Sequence, residues 1–210
     1  MTDVTDVSDT TTAAPRRHAP TPAQTVGPFF GYALPFPGGG DLVPPGHPGA
    51  ITLHGRVLDG AGAPIPDALL EFWQAGPDGS RLGAPGSMRR DETTGGFAGR
   101  DGVTFTGFAR VATDADGRYA IRTDVPAGVP YLSVCLFARG LLHHLFSRAY
   151  LTGEPGYAED SLLASLPPAR RATLETVRER GGVHRFDIRL QGGEDADGGR
   201  HEETVFLDFA

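Results

Sequence analysis

The sequence predicts an all-β protein, a β-sandwich assembled from many short strands, and three observations carry that expectation. Apolar and polar residues alternate with period two through a series of short segments. Turn chemistry, often Asp-Gly or Gly-Pro, separates these segments at fairly even spacing. Only the stretch from Leu162 to Arg180 repeats its apolar residues at helical spacing.

Taken in order, residues 1–20 are Thr, Asp, Ala and Pro with almost nothing to bury, which predicts a disordered tail. Residues 21–50 form an extended N-terminal arm and loop on this reading. The arm, Thr25 to Tyr32, mixes aromatics with Gly and Pro, and Pro35 to Gly49 is loop. The sandwich domain is expected over residues 51–210. Ile51 to Leu58 alternates as a strand and is closed by Asp59-Gly60-Ala61-Gly62, while Ala68 to Gln74 is a second strand. Residues 80–103 carry no usable pattern and read as an excursion. Gly107 to Thr113 and Arg118 to Thr123, joined by Asp114-Ala115-Asp116-Gly117, read as a hairpin.

Tyr131 to Ala138 is nearly continuously apolar and reads as a central, fully buried strand, with His144 to Leu151 as another. One short helix is expected near residues 167–180, because Pro167 and Pro168 suit a helix start and Arg178 and Arg180 its C-terminal end. Val183 to Leu190 and Glu203 to Phe209 read as closing strands around an acidic, Gly-rich loop.

Composition excludes several classes. Of 210 residues, 39% are hydrophobic and 21% charged, ordinary for a globular chain; 30 Gly and 18 Pro are dispersed as turn punctuation. A net charge of −7 without a basic run argues against nucleic acid. The single cysteine, Cys135, cannot form an internal disulfide and reads as a core thiol. No basic-then-apolar leader and no run of about 20 apolar residues is seen, so a cytoplasmic location is expected. Phosphate-cradling glycine loops, CxxC pairs, HExxH and GxSxG are all missing. His143 and His144 are adjacent, so on a strand they point to opposite faces and do not chelate together; His54 and His184 sit alone in strands.

Several segments, in a fixed order, resemble the intradiol ring-cleaving dioxygenases. They begin with Gln24-Thr25-Val26-Gly27-Pro28-Phe29-Phe30 and Gly55-Arg56-Val57-Leu58-Asp59-Gly60. Leu70 to Ala75 and Asp116-Gly117-Arg118-Tyr119 follow, then Phe137-Ala138-Arg139-Gly140 running on to Phe146, and His184 to Gly192. The resemblance covers about residues 20–210 and is strongest to the α chains of the two-chain, protocatechuate-cleaving branch. It implies a ferric ion held by two tyrosines and two histidines, to which a catechol binds before O₂ attacks the ring; Fe(III) suits phenolate and imidazole ligands.

The ligand pattern is absent here. Where catalytic chains carry His-x-His, this chain has Tyr131 and Ser133. The first ligand tyrosine falls near Arg81, and the second would sit in a loop that is here Val125 to Pro130, with no tyrosine. The resemblance therefore implies a chain that binds no iron and holds no catalytic residue. Its partner would be a β subunit carrying Fe(III), in higher α/β oligomers with protocatechuate at a shared site. It further implies that Thr25, Gly27 and Pro28 of the arm, with Arg139, complete the partner's substrate pocket. A guanidinium suits a ring carboxylate, and Gly-Pro allows a close, fixed backbone approach; the plain structural readings are a salt bridge for Arg139 and a turn for Gly27-Pro28. The alternatives are a self-sufficient intradiol dioxygenase and a non-enzymatic transthyretin-like or carbohydrate-binding sandwich.

Overall fold

A computed structural model of the chain describes residues 34–84, 88–100, 104–194 and 198–209. The expected tail and the arm residues Thr25, Gly27 and Pro28 lie outside the described residues. Two sheets face each other. The first is built on β1 (Ile51–Leu58), which pairs antiparallel with β6 (Arg118–Thr123) on one side. On its other side run β10 (Val183–Arg185) and β11 (Ile188–Arg189), both parallel to β1, and β9 (Val177–Arg180) lies outside β10. The second sheet is antiparallel, in the order β5 (Phe108–Ala112), β2 (Leu69–Trp73), β7 (Tyr131–Phe137), β8 (Leu145–Tyr150). Period-two alternation turns Leu53, Val57 and Ile121 of one sheet toward Leu70, Phe72, Leu132, Val134 and Leu136 of the other, and all are buried. The Phe72 and Tyr119 rings meet across the sandwich with centroids 5.5 Å apart.

The interruption between β10 and β11 has a visible cause. Phe186 donates its N–H to His54 O, and its own carbonyl accepts from the buried Tyr119 hydroxyl at 2.6 Å. That carbonyl lies so close to Gly55 that a Cβ there would sit 1.8 Å from it. Only glycine admits the approach.

Five sequence expectations are corrected. β5 and β6 do not pair as a hairpin: β5 bonds to β2 and β6 to β1, so the Asp114–Gly117 turn is a corner between sheets. Asp114 Oδ1 closes it by accepting from the N–H groups of Asp116 and Arg118, and Gly117 takes a positive φ against Val57 O. β7 is central but alternates: Tyr131, Ser133, Cys135 and Phe137 point outward and are half-buried. Residues 80–103 contain a small hairpin, β3 (Met88–Arg90) and β4 (Phe97–Arg100). Arg100 locks it down, donating to Thr106 Oγ1 and to the carbonyls of Phe108 and Gly39.

The helical stretch is shorter than expected and divided. α1 (Ser161–Ser165) is capped by Asp160, and α2 (Pro168–Ala172) does start at the Pro pair. It stops because Tyr150 at the end of β8 exchanges backbone bonds with Leu174 and Thr176, drawing that segment out, after which β9 runs as a strand. Lastly, residues 203–209 are not a strand. They cross the sandwich edge, with Thr204 N–H donating to Arg189 O of the first sheet and Leu207 N–H to Phe146 O of the second. The Gly-rich loop before them carries two-residue strands β12 (Gly193–Glu194) and β13 (Arg200–His201). Among the described residues no helix is long and apolar enough to cross a membrane.

Candidate functional site

The outward face of the second sheet holds the positions singled out in β7. Cross-strand register sets the rows: Phe108, Trp73, Ser133 and Arg148 in one, and Arg110, Glu71, Cys135 and Phe146 in the next, with Tyr131 opposite Tyr150. A groove of about 350 Å³ opens here, floored by Trp73, Phe108, Cys135, Phe137 and Phe146, with His144 at its rim. His144 lies in the turn before β8, its ring 4.6 Å from Phe146 and 5.6 Å from Phe137. Glu71 and Arg110 form an ion pair of 2.6 Å within this face. Burial, with the Glu71 carboxylate adding to it, raises the Cys135 thiol to about 11.

Tyr131 and Ser133 do share one face, two residues apart on β7. What confronts them is a cation. The Arg148 guanidinium lies 4.2 Å from the Tyr131 ring centroid, and Arg148 is the cross-strand partner of Ser133. Arg148 donates to the Tyr150 hydroxyl at 3.0 Å, and that hydroxyl donates to Asp160 Oδ1 at 3.0 Å. Burial alone would lower the Arg148 pKa, but the bond to Tyr150 and the nearby Tyr150, Tyr131 and Asp160 oxygens together raise it. Burial takes the Tyr150 phenol to about 12 despite Arg148. With the Tyr150 phenol engaged by Arg148 and Asp160, the Tyr131 phenol, the Ser133 hydroxyl and a fixed guanidinium do not fit a ferric ion, which needs several anionic or imidazole donors and no competing cation.

The other expected positions come from separate segments. Arg81 is exposed in the loop leading to Gly83, which abuts the Trp73 ring. The Val125–Pro130 loop leaves β6 beside Gln74, which bonds Thr123 Oγ1 and Asp124 O, and its Pro130 carbonyl accepts from Leu151 N–H. Arg139 follows β7 at its far end; six residues, roughly 20 Å of strand, separate Tyr131 from Phe137. Its side chain is 66% exposed and meets Asp67 Oδ2 at 2.6 Å. That oxygen is buried and the contact lacks hydrogen-bond alignment, so it is a Coulombic contact only. The salt-bridge reading of Arg139 thus has a partner, while most of the guanidinium surface stays open.

Sequence reasoning missed Arg148, Trp73 and the Glu71–Arg110 pair. The alternation of Glu71 with Trp73 and of Phe108 with Arg110 was a usable signal, but only the register joins them to Ser133. The single isolated histidines are structural: His54 Nε2 pairs with Glu179 at 3.0 Å, and buried His184 meets Thr176 Oγ1 at 3.3 Å. A larger concavity, about 1010 Å³, lies on the outer face of the first sheet. Its polar groups have partners nearby: His54 meets Glu179 at 3.0 Å, Arg185 lies 3.6 Å from Asp187, and Arg118 pairs with Asp116.

Comparison with known proteins agrees with this fold. The family model described as Dioxygenase (Dioxygenase_C) matches residues 40–143. The chain is 38% identical to the protocatechuate 3,4-dioxygenase alpha chain of Burkholderia cepacia, over 90% of this chain and 96% of that one. It is 29% identical to the protocatechuate 3,4-dioxygenase beta chain of the same organism, over 68% of this chain and 64% of that one. Among solved structures it is similar to the dioxygenase domain of a dioxygenase carbohydrate-binding protein fusion from Streptomyces sp. SirexAA-E. There the TM-score is 0.51 with 28% identity, covering 72% of this chain and 86% of the other.

Proposed function

Since the chain belongs to the intradiol dioxygenase family, among the relatives of protocatechuate 3,4-dioxygenase alpha chains, we propose that it is the iron-free α subunit of such an enzyme. The partner β chain holds the ferric ion, and the assembly opens protocatechuate with O₂ to 3-carboxy-cis,cis-muconate in the cytoplasm. The observation that supports this reading is the Tyr131–Ser133 face, where the Arg148 guanidinium lies 4.2 Å from the Tyr131 ring centroid. A cation held there by Tyr150 and Asp160 opposes a second, metallic one. The higher identity to an alpha chain over nearly its whole length supports the assignment of the subunit.

On this reading the chain's own work is to shape and exclude water from the partner's pocket. Thr25, Gly27 and Pro28 supply backbone and a small polar side chain to the pocket wall, and Arg139 offers an open guanidinium to a carboxylate. The ring-opening chemistry rests with the partner.

The test is expression of this chain alone and together with its β chain. The chain alone is expected to be colourless and inactive, and the co-purified complex coloured by Fe(III)–tyrosinate and active. Stoichiometric iron with ring cleavage by the chain alone overturns the reading. In the complex, Arg139→Ala is expected to raise KM for protocatechuate at least several-fold with an unchanged melting temperature. An unchanged KM removes Arg139 from the pocket.

A further inference from the structure

Among the described residues, Asp67 Oδ2 is the one buried carboxylate oxygen without a hydrogen bond, and the charge it faces is Arg139 at 2.6 Å. Both residues are fixed at the backbone. Asp67 stands in the turn before β2, and the next residue, buried Ala68, donates its N–H to Thr113 Oγ1 and accepts from Thr113 N–H. Arg139 follows buried Ala138 into a tight turn closed by Leu141 N–H to Ala138 O at 3.2 Å. Gly140 takes the third place of that turn with a φ of 90°, which a type II turn reserves for glycine. Leu69 lies opposite Phe137 in the β2–β7 ladder. Continued by two residues, that register brings Asp67 opposite Arg139 on the same face.

The turns hold both backbones, so what the pair fixes is the Arg139 side chain. An ion pair whose cation is 66% exposed contributes little to stability. Its effect is on direction: a long, flexible side chain at a turn corner is drawn to a carboxylate oxygen that nothing else satisfies. The attraction is Coulombic, without hydrogen-bond alignment, so the contact engages none of the guanidinium N–H donors. They remain for a second carboxylate, which a guanidinium grips through two parallel N–H groups.

We infer that Asp67 is a positioning residue: its charge orients the Arg139 guanidinium and leaves the N–H donors open to the ring carboxylate of the substrate. This inference rests on the reading that Arg139 borders the partner's pocket. Asp67 Oδ2 is buried, so an incoming anion meets the guanidinium first. The Asp67 charge also repels that anion, but across an exposed guanidinium the repulsion is screened by water and salt, and the ordering of Arg139 prevails. The effect belongs to the ring carboxylate and is absent for a catechol without one.

Equilibrium binding to the complex of this chain with its β chain, followed without O₂ through the Fe(III)–tyrosinate absorption, tests this with protocatechuate and with catechol. Asp67→Asn removes the charge and keeps the shape. It is expected to raise the protocatechuate Kd at least about three-fold, within the range of an exposed ion pair, and to leave the catechol Kd unchanged. In an Arg139→Ala background it is expected to add nothing, because it acts through that side chain. Asp67→Ser carries the same measurements if Asp67→Asn does not assemble. An unchanged or lower protocatechuate Kd in Asp67→Asn, with Arg139→Ala weakened, overturns the inference and leaves the pocket reading standing. Equal weakening for protocatechuate and catechol, or an undiminished effect in the Arg139→Ala background, overturns it by showing a general disturbance. An unchanged protocatechuate Kd in Arg139→Ala overturns both. If neither Asp67 variant assembles, Asp67 is a folding residue and the inference falls.

Discussion

Arg148 and His184 show how a neighbour decides what a side chain can do. Register places Arg148 opposite Ser133 and over Tyr131, so a cation stands on the face that those two residues share. His184 is buried at 3% exposure against Thr176. Burial first, and then the Arg178 charge, holds its pKa below the ordinary value, with Glu154 opposing. The unfolded chain therefore takes up a proton that the folded chain refuses. This group's contribution is complete above about pH 6.5 and declines as pH falls below it toward the depressed folded value. The urea midpoint is expected to fall more between about pH 7.5 and about pH 5.5 in the wild type than in His184→Asn, which lacks the titration. Identical falls would falsify the assignment to His184.

At the scale of the element, the six long strands were legible within a residue or two, because each is a short alternating or apolar run bounded by turn residues. Pairing was not. A turn of the right length between β5 and β6 reads as a hairpin whether its strands share a sheet or divide between two. The helix expected near residues 167–180 overran for a related reason: helical spacing over Leu162 to Arg180 competes with the free edge of β8, and the backbone bonds to Tyr150 prevail. The sharpest element-level constraint sits on β1. In Gly55→Ala the new methyl would meet the Phe186 carbonyl, which the Tyr119 hydroxyl holds in place. The parallel pairing of β10 and β11 must then part, at a cost on the order of 2 kcal/mol or more. Chemical denaturation measures it, and a loss below about 0.5 kcal/mol would show that the carbonyl moves freely.

Across the whole molecule, residues 202–209 act as a strap. Thr204 and Val205 are buried, Thr204 bonds the first sheet at Arg189, and Leu207 bonds the second at Phe146. Ser147 adds a further tie, donating to Val205 O at 2.9 Å. Truncation after His201 removes these links between the sheets, which are also bridged where Gly39 and Gly40 accept from the N–H groups of Arg110 and Arg122. A loss of at least about 3 kcal/mol is expected from the uncovered apolar surface and the orphaned bonds, read as a lower thermal midpoint. An unchanged midpoint would mean that the strap is dispensable.

Fold class and the positions of the main strands were determined by the sequence itself. Each depends on local alternation, turn chemistry or the identity of a residue at one position. Sheet membership, the early end of α2, the strap and the guanidinium over Tyr131 were decided only by tertiary structure. Each is a contact between residues distant in the chain, and the period of a strand tells which face a side chain takes but not what stands across from it. The aromatic outer face shows the same division. Its residues alternate plainly in four separate segments, and only the register of β5, β2, β7 and β8 gathers them into one surface.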